Sequence, residues 1–455
     1  MNETICALAT APGGALGIIR ISGAQTLEIL SRIFTKNLAD ARPNTIHYGH
    51  IVEQVAVPQQ QTATIVDEVL VSVFRAPHSY TGEESAEISC HGSRYILNKV
   101  LELLIQQGCR MANPGEFTQR AYLNGKMDLT QAEAVADLIA STNQATHQMA
   151  LSQLRGQFSS KLAQLREQLL KLTSLMELEL DFSDHEDLEF ADRSELMELT
   201  KEIDTHIVTL ARSFETGQAL KQGIPVAIVG KTNVGKSTLL NALLKDDRAI
   251  VSDVHGTTRD TIEDVMEIHG VQFRFIDTAG IRQTTDQVEQ IGIERTFQAI
   301  QKARIVLWLI DEKPTTEEIN KISKQTENKK LIIIRNKIDK LDNNSYNLLN
   351  SPHLAISAKF GTGINELEQA IYDAADIPTL SDSDVIVINA RHYDALTRAH
   401  QSLTRVISGL QQGISGDLLS EDLRDVLDIL SEITGGQITT NEVLGNIFKK
   451  FCVGK

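Results

Sequence analysis

The chain holds no run of about eighteen apolar residues, so no membrane-spanning helix is expected. Its first residues lack a basic stretch followed by an apolar one, so no secretory leader is expected either. Cysteine is scarce: Cys6, Cys90, Cys109 and Cys452 lie far apart, without metal-ligand spacing, and read as reduced thiols of a cytoplasmic protein. Two familiar motifs are also missing. "GGALG" near the N-terminus is no dinucleotide fingerprint, because Ala15 breaks the G-x-G. The acidic stretch 181–192 has Glu186 where a calcium loop requires glycine, and reads as a solvated loop between helices.

The 455 residues exceed what one core organises, so two or three domains are expected. With 42% hydrophobic and 23% charged residues, the composition is ordinary for a globular protein. The charge is uneven: residues 1–126 carry a net −1 and 222–378 a net −3, leaving most of the total of −16 to the rest. A polyanionic partner would therefore need a local basic patch.

The organisation follows from periodicity. Residues 1–126 alternate short apolar runs ("GIIRIS", "TIVDEVLVSVF", "AEISCHGS") with helical stretches such as "RYILNKVLELLIQQG", which predicts an α+β domain. Residues 127–221 form long segments of 3.6-residue period, with no proline from 128 onward to interrupt them. In 222–378 the apolar runs "GIPVAIVG", "QFRFIDTAG", "ARIVLWLID" and "KLIIIRNKID", spaced by helical stretches, predict a doubly wound parallel sheet. Helical periodicity resumes in 379–455. The simplest multidomain α/β reading is one helical domain in two halves, with the sheet domain inserted between them.

"GKTNVGKS" (Gly230 to Ser237) fits G-x-x-x-x-G-K-[ST] between an apolar strand and a helix. Such a loop closes backbone N–H groups around phosphates, with Lys236 on the β/γ oxygens and the Ser237 hydroxyl on Mg²⁺. The loop residues counted as nucleotide-binding are Asn233, Val234, Gly235, Lys236, Ser237 and Thr238. "NKID" (336–339) selects the base: Asp339 can accept both N–H groups of the guanine edge, and adenine presents the opposite pattern. Asn336 and Lys337 would brace loop and ring, and "SAK" (Ser357, Ala358, Lys359) would offer the Ala358 amide to the guanine oxygen. In "DTAG" (Asp277, Thr278, Ala279, Gly280), Asp277 stands near Mg²⁺ and the Gly280 amide can sense the γ-phosphate. In "SDVHGTT" (Ser252, Asp253, Val254, His255, Gly256, Thr257, Thr258), Thr258 can close the Mg²⁺ shell. The substrate is expected to be GTP.

These motifs, the N-terminal "APGGALGIIRISG" and the C-terminal "LGNIFKKFCVGK" resemble, over the full length, the family of tRNA modification GTPases called MnmE or TrmE. The family's usual ending has isoleucine where Val453 stands. The resemblance implies a potassium-dependent GTPase whose G domains pair across the nucleotide. This bears on Ile281, which occupies the position where Ras-type GTPases keep the glutamine that orients water. A cation held by oxygen ligands can do the electrostatic work of an arginine finger, roughly 10³–10⁵ in rate or about 4–7 kcal/mol. The implied potassium ligands are Asn233, Ser252, Val254 and Thr257; alone, Asn233 reads as a loop-capping residue. Glu289 matches the family's water-orienting glutamate, and alone reads as an exposed carboxylate at a helix start. The catalytic set is then Glu289, Lys236 and Asn233.

The resemblance also implies a folate-binding N-terminal domain that forms a homodimer. Its ligand positions carry over to Arg20, Glu87, Lys126 and Lys455, around 5,10-methylenetetrahydrofolate or 5-formyltetrahydrofolate. Cys452 would lie close to this pocket, as a reactive thiol or as a packed one. An FAD-dependent partner resembling MnmG (GidA) would complete a complex that installs an aminomethyl-type group at C5 of the wobble uridine of certain tRNAs. An RNA-binding ribosome-assembly or regulatory GTPase is the rival class, separable by folate binding to residues 1–126. A helical scaffold with a vestigial phosphate loop is a third class, and it would show no potassium-stimulated turnover.

Overall fold

The structure, a computed structural model, describes residues 3–57, 60–181, 193–244, 263–276, 297–340, 353–377, 385–436, 444, 447–449, 451–452 and 454. The chain divides into two compact units: Met1–Ala140 with Gln153–Asp204 and Arg398–Lys455, and Ser141–Ser152 with Thr205–Thr397.

The first unit contains a six-stranded sheet. Its strands are β1 (Ile5–Leu8), β2 (Leu16–Ser22), β3 (Thr45–Val57), β4 (Gln60–Phe74), β5 (Ser85–His91) and β6 (Arg110–Met111). The order is β3-β4-β5-β2-β1-β6, antiparallel except for the β1–β6 pair. Along β5 the inward positions Ala86, Ile88 and Cys90 are buried, as period-2 alternation requires of a strand covered on one face. Leu97, Val100, Leu103 and Leu104 of helix Arg94–Gln106 share that core. The same unit holds long helices: on Gln157–Asp181, Leu162, Leu165, Leu169, Leu172 and Met176 are all buried. Their three- and four-residue spacing makes one apolar stripe, against which helix Gly416–Thr434 packs.

The second unit carries the other six-stranded sheet: β7 (Ile224–Gly230), β8 (Asp264–Ile268), β9 (Val271–Phe275), β10 (Ile305–Ile310), β11 (Lys330–Arg335) and β12 (Leu354–Ala355). The order is β12-β11-β10-β7-β9-β8. All pairings are parallel except β8–β9. The expected parallel sheet therefore has one antiparallel edge. Its cause is the two-residue turn at His269 and Gly270, whose φ of 50° and 79° suits the right-handed twist of a hairpin. Every residue of β10 is buried, which is why "IVLWLI" reads as an unbroken apolar run. Because β7 lies between β9 and β10, the chain reverses winding direction there. In open sheets of this kind, that reversal opens a crevice at the carboxyl ends of the strands.

Candidate functional site

Four loops meet at those carboxyl ends. The first, Gly230 to Ser237, leaves β7 and enters helix Lys236–Leu244. Gly235 has φ +101°, and a Cβ there would fall 2.3 Å from Asn336 Nδ2, so only glycine lets the loop close so tightly. Asn233 takes the left-handed conformation (φ 62°) with its side chain exposed, and Val234 turns inward. The Lys236 ammonium donates to Gly230 O (2.8 Å) and Lys231 O (2.7 Å). Both acceptors are neutral, and burial pushes the amine below its ordinary pKa. Ser237 and Thr238 stand in the first turn of the helix.

The second loop follows β11. Asn336 is buried, and its N–H bonds to Ile310 O at the end of β10 (2.8 Å). Its Nδ2 donates to Val234 O (2.9 Å), and its Oδ1 accepts from the Ala358 amide (3.0 Å). One side chain thus joins the phosphate-type loop to the loop after β12. The sequence led us to expect the Ala358 amide to face the base; it is turned to Asn336 instead, because closing these two loops on one asparagine uses that donor. Lys337 (φ 64°) donates from Nζ to Asn233 O (2.6 Å) and to Asp311 Oδ2 (2.7 Å). The Asp339 carboxylate accepts from Ser357 Oγ (2.6 Å), a bond that favours the anion and lowers its pKa. Beside it, the Lys359 ammonium lies 5.2 Å from the centre of the exposed Phe360 ring. Asp311 was missed by sequence reasoning. Nothing marks it except its place directly after the apolar run of β10.

In the first unit, Arg20 on β2 faces Glu87 on β5, in register, at 2.8 Å. The Arg20 guanidinium lies over Tyr80 (5.4 Å) and Phe117 (5.7 Å) and donates to Gly454 O (3.3 Å). The C-terminal segment is therefore docked here: Phe448 and Phe451 are buried with Leu129 and Ala132, and the Gly115 amide donates to Cys452 O (3.3 Å). Cys452 is exposed, whereas Cys6, Cys90 and Cys109 are buried. The Lys126 ammonium is directed to Pro77 O (2.9 Å) rather than to the Arg20–Glu87 pair. In the same unit, fully buried Arg120 is held by Glu83 and Glu116 (3.0 Å each), and Glu83 also accepts from Ser22. This polar network carries no sequence motif.

Ser252, Asp253, Val254, His255, Gly256, Thr257, Thr258, Asp277, Thr278, Ala279, Gly280, Ile281, Glu289 and Lys455 lie outside the described residues. Among the described residues, no group of three His, Cys, Asp or Glu side chains could hold a metal, and no helix is long and apolar enough to cross a membrane.

A glycine loop closed by an N-K-x-D asparagine at the winding reversal of a largely parallel sheet defines the class of P-loop GTPase domains. The family profile described as "GTP-binding protein TrmE N-terminus" matches residues 4–126, and that of the "MnmE helical domain" matches 129–452. The tRNA modification GTPase MnmE of Phocaeicola vulgatus is 53% identical over 495 aligned positions, covering 100% of this chain and 99% of that protein. The protein of the same name from Bacteroides fragilis is 54% identical, with 100% of both chains covered. That from Flavobacterium johnsoniae is 48% identical, covering 100% of this chain and 99% of its own. The chain belongs to the tRNA modification GTPase MnmE family.

Proposed function

We propose that this chain hydrolyses GTP in the crevice at the carboxyl ends of β7, β10, β11 and β12, and uses that hydrolysis in modifying the wobble uridine of tRNA. The observation that carries the nucleotide reading is the Asn336 side chain, which fixes the phosphate loop and the base loop to one another. The base loop also carries Asp339, its carboxylate ionised and oriented by Ser357. Lys236 fits a phosphate: its ammonium is desolvated and rests on neutral carbonyls, so an anion is the partner its charge lacks. Ser237 and Thr258 would hold Mg²⁺, which supplies charge neutralisation at the phosphate oxygens.

Potassium would be held by Asn233, Ser252, Val254 and Thr257, with the exposed Asn233 side chain offering its carbonyl oxygen. Glu289 would orient the attacking water. In this reading residues 1–126 bind a one-carbon folate near Arg20, Glu87, Lys126 and Lys455, and form the homodimer contact. Residues 127–221 and 379–455 are the two helical halves, and 222–378 the inserted GTPase domain. The protein works in the cytoplasm with an FAD-dependent, MnmG-like partner. The aromatic rings of Tyr80 and Phe117 and the docked tail give Arg20 a partly enclosed setting suited to an anionic ligand.

The test is a change of base. Asp339→Asn loses one acceptor and gains a donor, so it should bind GTP about 10²-fold or more weakly and turn over xanthosine triphosphate instead. Unchanged GTP turnover at low substrate would remove the guanine assignment.

A further inference from the structure

We propose that Asp311 is a positioning residue of the nucleotide site. It holds the Lys337 ammonium against the Asn233 carbonyl and so fixes the left-handed bend of the phosphate loop. The inference rests on the GTP site proposed above, and adds to it a residue outside every nucleotide motif.

Asp311 follows directly on β10, the strand buried along its whole length. Lys337 belongs to the base loop, whose first residue bonds to Ile310 at the end of the same strand. The Lys337 ammonium has two acceptors: Asp311 Oδ2 at 2.7 Å and Asn233 O at 2.6 Å. The carboxylate bond is charge-assisted and is the stronger of the two. It decides where the ammonium sits, and the ammonium then holds the carbonyl.

That carbonyl belongs to a non-glycine residue at φ 62°, a conformation that persists only where the surroundings enforce it. The bend aims the amides that follow it, which are the donors a phosphate would meet. Lys337 itself sits at φ 64°. Without Asp311 its partly buried side chain would regain its rotamers, and the bend would lose its clamp. A second acidic contact to the same loop provides a comparison. Glu318 pairs with Lys231 at 2.7 Å, but the Lys231 side chain is 64% exposed and holds no loop carbonyl. Such a pair contributes little.

The experiment measures the affinity of the full-length protein for GDP carrying a fluorescent N-methylanthraniloyl group, together with KM and kcat for GTP. Asp311→Ala should raise the Kd about tenfold, as expected for losing one charge-assisted contact. KM should rise in parallel. Asp311→Glu should recover most of the affinity. Asp311→Asn, which keeps the shape without the charge, should show a loss of about threefold and carries the test if the alanine variant unfolds. Because Asp311 acts through Lys337, the double variant Asp311→Ala/Lys337→Ala should bind no more weakly than Lys337→Ala alone. Glu318→Gln should stay within about twofold of wild type. Unchanged affinity in both Asp311→Ala and Asp311→Asn, or additive losses in the double variant, would overturn the proposal. Failure of the wild-type protein to bind the labelled GDP would instead overturn the nucleotide site beneath it.

Discussion

At the scale of single residues, Asn336 joins two loops of the second unit to its own. It is buried, and its side chain satisfies a carbonyl on one loop and an amide on another. Asn336→Ala would leave Val234 O and the Ala358 amide without that partner, at about 1–3 kcal/mol for each buried group left unpaired. We expect a loss of about 2–4 kcal/mol from the second unit. Urea unfolding of the variant would read it, and a midpoint equal to that of wild type would contradict it. The bracing role of Asn336 was legible in the sequence, because N-K-x-D after an apolar strand implies a loop that must be held. The orientation of the Ala358 amide was not legible. Which of two nearby acceptors a single N–H chooses is a matter of fractions of an ångström, and no spacing rule encodes that. Asp311 escaped for a related reason: a lone aspartate after a strand looks like any turn residue until the fold brings Lys337 to it.

At the scale of elements, the β8–β9 hairpin links the sheet to the start of helix Gln144–Leu154. The Ala145 amide donates to Gly270 O (3.0 Å), and Gln272 Oε1 accepts from Thr142 and Asn143 (3.0 and 3.2 Å). Ala145 and Met149 join the same core as Met266, Ile268 and Val271. Beyond its last residue, Phe275, β9 leads through Ile276 to Asp277, so the hairpin connects this helix to the start of "DTAG". Gly270 is the tight point: φ is +79°, and a Cβ would lie 2.9 Å from Gln144 Oε1 and 3.0 Å from Gln144 Cβ. Gly270→Ala should therefore cost about 1–2 kcal/mol, from backbone strain and from displacing Gln144. Denaturant midpoints of the two proteins compare this directly; an equal or higher midpoint would show the turn to be tolerant. The sequence revealed β10 through its unbroken apolar run. It hid β8, five residues that alternate between exposed and buried and resemble any edge segment.

At the scale of the whole chain, the described GTPase loops fall in the second unit and the docked C-terminal segment in the first. Phe448 and Phe451 are buried, and Gly454 O accepts from Arg20. The direct pairing of Arg20 with Glu87 was not legible in the sequence, since the two lie 67 positions apart. The central claim is that guanine-nucleotide turnover in one part of this chain serves tRNA modification. Its most direct test is mass analysis of wobble uridines in tRNA from cells that lack this gene, and from the same cells given back the wild-type or the Asp339→Asn protein. The C5-modified uridine should disappear with the gene, return with the wild-type protein, and stay absent with the variant, whose preferred triphosphate the cell does not supply. A full complement of modified uridine in the deletion strain, or its return with Asp339→Asn at wild-type levels, would contradict it.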